Sequence, residues 1–199
     1  MKIIVIGASG TIGREVVNAL SEHEVIAVSR KGSEVTADIR DVASLRAMFA
    51  KAGKVDAIVS AAGSGAWKPL AELTDDDFAM SLGYKLMGQV NVIRYGFDAL
   101  NDGGSITVTS GILSKSPMVG SAAVSLVNSG LEGFVRAAAL EAPRGIRVNV
   151  ISPPWVSETL VEMGQDPSGG LPAAIVARAY VASVEGTQSG AIIEPEPAA

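Results

Sequence analysis

Three glycines near the amino terminus have the spacing of a phosphate-binding turn. The apolar run from Ile3 to Ile6 reads as a buried strand, Gly7, Gly10 and Gly13 follow it, and a helical pattern begins at Thr11. In this context the first glycine permits the tight turn, the second lets backbone N–H groups approach a pyrophosphate, and the third lets the helix pack on the strand. The pattern predicts a dinucleotide site rather than a merely tight turn. Its predicted contacts are Gly7, Ser9, Gly10, Thr11, Ile12 and Gly13.

The end of the second predicted strand indicates which dinucleotide binds. An NAD site usually presents a carboxylate there to the adenosine ribose, whereas a 2′-phosphate needs cations. The sequence reads Val28-Ser29-Arg30-Lys31, with two adjacent cations and no acid. We therefore expect NADP(H) to be preferred over NAD(H), with Ser29 and Arg30 at the phosphate. The alternative is a solvated basic turn.

The elements that position these residues follow a regular alternation. Short β-branched runs alternate with longer helical patterns, which is typical of right-handed βαβ units on a parallel sheet. The predicted strands are Ile3 to Ile6, Val25 to Val28, Val35 to Ala37, Ala57 to Ser60, Ser105 to Thr109, Arg147 to Ile151 and Ala191 to Ile193. The predicted helices are Thr11 to Leu20, Val42 to Lys51, Thr74 to about Leu100, Ala122 to Glu141 and Ala173 to Val184.

This alternation predicts one α/β domain over residues 1–199, without linker or repeat. Its expected core is a doubly wound parallel sheet of Rossmann type, with about seven strands and helices on both faces. Residues 155–174 are rich in turn residues and are predicted to form a substrate loop, and residues 194–199 are predicted to be a frayed tail.

Composition excludes several classes of protein. The formal net charge is −5, which argues against nucleic acid as a partner. The chain has no Cys and one His, so a disulfide framework and a thiolate zinc site are excluded and no metal is expected. No apolar run approaches the roughly 20 residues that cross a bilayer. A cytoplasmic protein without a membrane partner is the simplest interpretation.

Five segments in this order and spacing resemble the short-chain dehydrogenase/reductase family. They are the glycine turn, Ala37-Asp38-Ile39-Arg40-Asp41, Ser60-Ala61-Ala62-Gly63, Ser110-Gly111 and Ser152-Pro153-Pro154-Trp155-Val156. The resemblance implies that Asp38 and Ile39 hold the adenine and that Ser60, Ala61, Ala62 and Gly63 line the cofactor between ribose and nicotinamide. It also implies that the loop containing Pro153 and Val156 covers the nicotinamide, and that the protein is a homodimer or homotetramer.

The sequence departs from the family at the catalytic positions. The family uses a Tyr, a Lys four residues later, a Ser and an Asn on the preceding long helix. Ser110 is retained, but Val124 and Asn128 stand at the Tyr and Lys positions, and Lys85 stands at the Asn position. We hypothesise that Lys85 and Asn128 meet beside Ser110 and that the ammonium reaches the nicotinamide ribose from the opposite side. The alternatives are a surface lysine and an asparagine that bonds locally.

The remaining candidates for chemistry are weak. Tyr84 points about 100° away from Lys85 around its helix, and Tyr95 and Tyr180 are interpreted as packing residues far from any strand end. His23 is interpreted as a solvated turn residue and the acidic cluster after Thr74 as a solvated helix start. Four large apolar residues form either a pocket above the nicotinamide or plain core: Trp67, Trp155, Met118 and Met163.

The leading function is an NADP(H)-dependent reductase of a small apolar carbonyl or quinone-like compound, with Ser110, Lys85 and Asn128 as its catalytic group. The missing Tyr keeps a second function open, a catalytically silent NADP(H)-binding redox sensor or regulatory protein. A lyase or isomerase on the same scaffold is a weaker third, because a fold does not fix a function.

Overall fold

A computed structural model describes residues 1–197 and contains one seven-stranded parallel sheet in the order β3-β2-β1-β4-β5-β6-β7. The predicted Rossmann-type fold with about seven parallel strands is confirmed. The strands are β1 (Lys2–Ile6), β2 (Glu24–Ser29), β3 (Val35–Thr36), β4 (Val55–Ser60), β5 (Leu100–Thr109), β6 (Arg147–Ile151) and β7 (Ile192–Ile193).

Helices cover both faces of the sheet. They are α1 (Thr11–Ala19), α2 (Val42–Ala52), α3 (Asp75–Ser81), α4 (Gly88–Gly96), α5 (Ala122–Glu141), α6 (Ser157–Glu162) and α7 (Ala173–Glu185). Alternate side chains of a strand point to opposite faces. Ile4 and Ile6 therefore enter the core beneath α2, α4 and α5, while Ile3 and Val5 enter the core beneath α1 and α7. The continuous apolar runs in the sequence reflect this double burial.

The long helix predicted from Thr74 to about Leu100 is interrupted, and this part of the prediction was wrong. Thr74 and Asp77 form a capping box at its start, but α3 ends at Ser81 and a π-helical stretch occupies Leu82–Met87. A 3₁₀ turn, Phe97–Ala99, follows α4, and Leu100 begins β5. In the π-helical stretch the Gly88 N–H donates to the carbonyl of Gly83, five residues earlier. Wider turns of this kind are frequent at functional sites.

Close packing explains two glycines of this segment. A Cβ on Gly88 would lie 2.8 Å from the Ile39 side chain, and one on Gly96 would lie 2.9 Å from Ile58. The helix therefore approaches the sheet more closely than side chains would allow. A hydrophobic periodicity cannot reveal the π-helical turn that precedes Gly88, because the turn changes the hydrogen-bond partners and not the residue types.

Two peripheral predictions differ from the structure. The segment predicted as a substrate loop contains α6 and a 3₁₀ turn, Pro167–Gly169. In the tail predicted to fray, Glu194 pairs with Lys115 and Pro195 is buried, while residues 198–199 lie outside the described residues. No helix among residues 1–197 has the length and apolar character that a bilayer crossing requires.

Candidate active site

The glycine turn has the geometry that its sequence predicts. Gly7 adopts a φ of 86°, and a Cβ there would lie 2.9 Å from the Ala61 backbone. A Cβ on Gly13 would lie 1.9 Å from the Gly7 carbonyl oxygen, so only glycine fits at this crossing of helix and strand. The turn thereby brings β1, α1 and the end of β4 together at the carboxyl edge of the sheet.

The amino terminus of α1 is open to an anion. Its N-cap, Gly10, contributes no side-chain hydrogen bond, and its first turn holds no acidic residue. The Ser9 N–H donates to the Ser29 hydroxyl at 3.2 Å, and Ser29 is itself buried. Ser29 therefore holds the turn in shape instead of facing a ligand. Backbone N–H groups at a helix start and the helix dipole together favour a phosphate.

Three adjoining depressions run along this edge of the sheet. The first is lined by Ser9, Arg30, Lys31, Asp38 and Arg40. The second is lined by Ile6, Gly7, Ser9, Gly10, Arg30, Ala37, Ile39, Ala61, Ala62, Gly63 and Tyr84. The third, called here the inner cavity, has a volume of about 290 Å³ and is lined by Gly63, Lys85, Ser110, Gly111, Ile112, Leu113, Val124, Asn128, Pro153, Pro154, Trp155, Val156 and Thr159. Shared residues link each depression to the next.

The three depressions together form one trough. Its outer end, the first depression, is positively charged. The guanidinium groups of Arg30 and Arg40 lie 5.5 and 5.4 Å from the centre of the Tyr84 ring. Arg40 also donates to both carboxylate oxygens of Asp38, at 2.6 to 3.1 Å, and this hydrogen bonding lowers the pKa of Asp38. The Asp38 carboxylate is thus engaged by Arg40, while Ile39 is buried and lines the trough.

Lys85 enters the inner cavity from the π-helical stretch. Its stem passes Gly63, where a Cβ would lie 3.2 Å from Lys85 Cα and Cδ, and its ammonium donates to the Ser110 carbonyl at 3.1 Å. The residue keeps part of its surface exposed, but desolvation of the ammonium lowers its pKa to about 8. A lysine with this pKa can exchange its proton near neutral pH.

Asn128 meets Lys85 on the other side of the same turn. Its amide Nδ2 donates to the Gly111 carbonyl at 3.2 Å, so Lys85 and Asn128 bind successive carbonyls. The Asn128 Oδ1 atom is buried and has no hydrogen-bond partner among residues 1–197. A buried acceptor without a partner is costly unless a ligand supplies a donor. The structure therefore brings Lys85, Asn128 and Ser110 together, as the hypothesis requires.

Two polar residues of the site were missed by the sequence analysis. Glu132 is buried and accepts a hydrogen bond from the Ser110 hydroxyl at 2.8 Å. Gln89 is fully buried, and its side chain bonds both the N–H and the carbonyl of Thr109, at 2.8 and 2.7 Å. A spacing signal existed for Glu132, because positions 124, 128 and 132 of α5 lie on one helix face.

The tyrosines are placed partly as predicted. Tyr84 lines the middle of the trough instead of the inner cavity, where Val124 stands at the family's Tyr position. Tyr180 does not lie far from a strand end, since its hydroxyl is 2.6 Å from that of Thr109, the last residue of β5. The periodicity placed Tyr180 on a helix but could not show which strand that helix crosses. Burial raises the pKa of the Tyr180 phenol above its usual value, and the phenol does not line the inner cavity.

The large apolar candidates separate into two pairs. Trp155 lines the inner cavity and contacts Trp67 edge to face, with ring centres 5.6 Å apart. Met118 and Met163 are 53% and 44% exposed, so they are neither cavity lining nor core. His23, interpreted as solvated, lies 3.1 Å from Glu185 and is half-buried.

The other predicted cofactor residues lie along the trough or just behind it. Pro153 and Val156 line the inner cavity, and Ala61, Ala62 and Gly63 line the floor. Ser60 is fully buried behind that floor. Thr11 and Ile12 begin α1, and the Thr11 hydroxyl donates to Glu162 of α6 at 3.4 Å.

Comparison with known proteins shows that the chain belongs to the short-chain dehydrogenase/reductase family. A family model described as enoyl-(acyl carrier protein) reductase matches residues 7–188. The protein lin1944 from Listeria innocua has a solved structure that superposes with a TM-score of 0.93, at 43% identity over 98% of each chain. A small-chain dehydrogenase solved in complex with NADPH gives a TM-score of 0.84 at 24% identity, over 98% of this chain and 95% of its own.

Two curated relatives carry descriptions of activity. The hydroxynaphthalene reductase of Aspergillus fumigatus is 29% identical over 159 residues, 77% of this chain and 56% of its own length. An uncharacterized NAD-dependent oxidoreductase of Mycobacterium tuberculosis is 34% identical over 149 residues, 69% of this chain and 54% of its own. The chain therefore spans just over half the length of these relatives.

Proposed function

We propose that the protein is an NADP(H)-dependent reductase of a small apolar carbonyl or quinone-like compound. The observation that carries the proposal is the continuity of the trough, which runs from the glycine turn and Arg30 to the inner cavity. The start of α1 fits a pyrophosphate, because its N-cap has no side-chain hydrogen bond and its first turn holds no acidic residue.

Each part of the cofactor has residues to hold it. The open start of α1 would bind the pyrophosphate, and Ile39 beside Asp38 would bind the adenine. Ala61, Ala62 and Gly63 would line the path to the nicotinamide, with Pro153 and Val156 above it. The Asn128 Oδ1 atom, buried and without a partner, would accept a ribose hydroxyl next to Lys85.

The cofactor would supply the hydride, and the protein would supply orientation. Ser110 lies beside the inner cavity, whose apolar wall includes Ile112, Leu113 and Trp155. At about 290 Å³ the cavity is at the small end of ligand sites, which favours a compact substrate. A quinone-like acceptor suits this site, because it needs less acid assistance than a simple ketone.

Preference for NADP(H) is supported by the cations at the outer depression. Arg30 and Lys31 are exposed there, and the one nearby carboxylate, Asp38, is bound to Arg40. A neighbour of the same fold was solved with NADPH, whereas the Mycobacterium tuberculosis relative is described as NAD-dependent. Titration of the purified protein with both nucleotides decides between them.

A silent NADP(H)-binding sensor or regulatory protein is the second candidate, favoured by Val124 at the family's Tyr position. NADPH oxidation with a panel of ketones and quinones separates the two functions. A reductase oxidises NADPH with at least one acceptor, and Ser110→Ala and Lys85→Met lower the rate by tenfold or more. Tight NADPH binding without turnover on any acceptor, and unchanged by Ser110→Ala, would establish the sensor.

Assembly as a homodimer or homotetramer and a cytoplasmic location remain part of this proposal and rest on family resemblance. Light scattering on the purified protein, with and without NADPH, measures the assembly directly. A single monomeric species in both samples would contradict assembly as a homodimer or homotetramer.

A further inference from the structure

The direction of the Ser110 hydroxyl hydrogen is fixed by a buried carboxylate. Ser110 Oγ lies 2.8 Å from Glu132 Oε1, and its other buried acceptor, the Ile151 carbonyl, is more distant at 3.4 Å. A serine hydroxyl has one hydrogen to donate and two lone pairs to accept with. Because the hydrogen points to Glu132, the hydroxyl offers a molecule in the inner cavity only its lone pairs.

Neighbouring hydroxyls hold the carboxylate in this position. Glu132 Oε1 also accepts from Ser114 at 2.7 Å and from Ser152 at 3.3 Å. Glu132 is 5% exposed and Ser152 is fully buried, so the group is built into the junction of α5, β6 and the turn after β5. Three serine hydroxyls thus donate to the Glu132 carboxylate. The nearest acceptor for the Ser110 hydroxyl is this carboxylate and not the Ile151 carbonyl.

The other polar groups of the inner cavity divide into donor and acceptor. Lys85 presents an ammonium, which donates only. Asn128 Oδ1 accepts, and under the proposed function it binds a ribose hydroxyl. The hydroxyls of Ser110 and Thr159 then remain for the substrate, and of these two the Ser110 hydroxyl is restricted to accepting because its hydrogen points to Glu132.

We propose that Glu132 makes Ser110 a hydrogen-bond acceptor, and that among carbonyl and quinone-like compounds the inner cavity therefore selects compact aromatic ones that also carry a hydroxyl, which donates to Ser110. This rests on the proposed function for the identity of the cavity and specifies its substrate class. Glu132 is a positioning residue, because it reaches the ligand only through Ser110. Plain ketones and ethers of the same shape lack the donor and leave the Ser110 lone pairs without a partner.

Calorimetric titration of the protein saturated with NADP⁺ tests this with 2-naphthol and its methyl ether, 2-methoxynaphthalene. The titration is done at pH 6.5, where Lys85, with a pKa of about 8, keeps its proton. We expect 2-naphthol to bind about tenfold more tightly than the ether, since one hydrogen bond is at stake. Equal affinities, or no binding of either compound, would overturn the proposal.

Variants test whether Ser110 and Glu132 cause the preference for 2-naphthol over its methyl ether. Ser110→Ala and Glu132→Met should each bring the two affinities to within about twofold, because the first removes the acceptor and the second releases the Ser110 hydrogen. Glu132→Gln keeps an oxygen that can accept from Ser110, so this variant should retain most of the preference for 2-naphthol. Ser125→Ala is the matched control and should keep it, because the Ser125 hydroxyl lies on the same helix but bonds Ser121, and Ser125 does not line the inner cavity.

An unchanged preference in Ser110→Ala would refute the acceptor role, even if Glu132→Met fails to fold. An unchanged preference in a folded Glu132→Met would refute the role of Glu132. The binding assay needs no turnover, so its outcome is separate from that of the NADPH oxidation assay. Turnover without a hydroxyl preference would end this inference and leave the reductase in place.

Discussion

The fold changes the charge state of Lys85 in the neutral to weakly alkaline pH range. Its ammonium donates to the Ser110 carbonyl, and desolvation lowers its pKa from 10.5 to about 8. A depressed lysine pKa means that the folded protein disfavours the charged form. Below pH 8 the lysine is charged in both folded and unfolded states, so folding bears this cost; above pH 10.5 it is neutral in both, and the cost disappears.

Replacement of this lysine should therefore stabilise the protein. We expect Lys85→Met to raise the free energy of unfolding at pH 7 by about 1–3 kcal/mol, even though it removes a hydrogen bond to Ser110. The advantage should narrow between pH 8 and pH 10, because the wild-type lysine then loses its proton. Urea denaturation at several pH values measures both effects.

The matched control is Lys31→Met, at an exposed lysine. It should change the free energy of unfolding by less than about 0.5 kcal/mol at every pH tested. A Lys85→Met variant that is less stable than the wild type at pH 7, with no dependence on pH, would show that the ammonium is well solvated.

For the individual site residues, the sequence predicted those that family motifs and helix periodicity can reveal. The spacing of Val124 and Asn128 and the position of Lys85 placed three residues that the structure brings to one cavity. Glu132 was missed because its partners, Ser110, Ser114 and Ser152, are distant in sequence. Only its spacing from Asn128 could have indicated it.

Among the elements, the π-helical stretch Leu82–Met87 is joined to the end of β5 by the buried amide of Gln89. Gln89 bonds both backbone groups of Thr109 at the end of β5, and its Nε2 also donates to the Lys85 carbonyl at 3.1 Å. One side chain thus joins the long helical segment to the strand that carries Ser110. It fixes the distance between Lys85 and the carbonyl that Lys85 binds.

Gln89→Met should therefore affect both stability and the site. Loss of the amide leaves the buried Thr109 N–H and carbonyl without partners, which should cost about 2–4 kcal/mol in the free energy of unfolding. Urea denaturation measures this cost, and hydrogen exchange of the Thr109 amide should become faster relative to Val108. Unchanged exchange at Thr109 would show that the helix is held to β5 by apolar packing alone.

The interrupted helix shows which structural features a local sequence pattern does not predict. Thr74 and Asp77 identified its start correctly, because a capping box is local. The change to π-helical bonding and the early end at Gly96 depend on contacts with Ile39, Ile58 and Thr109, which come from other parts of the chain.

For the whole molecule, two buried hydroxyl pairs link the α7 layer to the sheet: Thr107 with Ser183, and Thr109 with Tyr180. The Tyr180 hydroxyl lies 2.6 Å from that of Thr109, which in turn donates to the Ser60 carbonyl at 2.6 Å. Tyr180 is fully buried in the core beneath α1 and α7. This chain of bonds connects α7, β5 and β4 just behind the trough.

Tyr180→Phe keeps the ring and removes the hydroxyl. We expect a loss of about 1 kcal/mol in the free energy of unfolding, because the Thr109 hydroxyl retains its bond to Ser60. Tyr95→Phe is the matched control on the opposite layer: Tyr95 is half-buried and its ring lies against Arg46 and Arg94, so little change is expected. Equal losses in the two variants would remove the special role of the Tyr180 hydroxyl.

The overall fold was the most predictable feature. Continuous apolar strands, such as Ile3 to Ile6, indicate burial on both faces, and right-handed crossovers then restrict the strand order. Which strand end each helix reaches, as for Tyr180, depends on packing angles that periodicity does not encode.

The nucleotide preference of the trough is tested most directly by titrating NADPH and NADH into the wild type and Arg30→Ala. We expect the wild type to bind NADPH more tightly. Arg30→Ala should weaken NADPH binding about tenfold or more while NADH affinity stays within about twofold, because only NADPH carries the 2′-phosphate. Arg46→Ala, on α2 against Tyr95, should change neither. No affinity for either nucleotide, or equal losses for both in Arg30→Ala, would contradict the cofactor site described above.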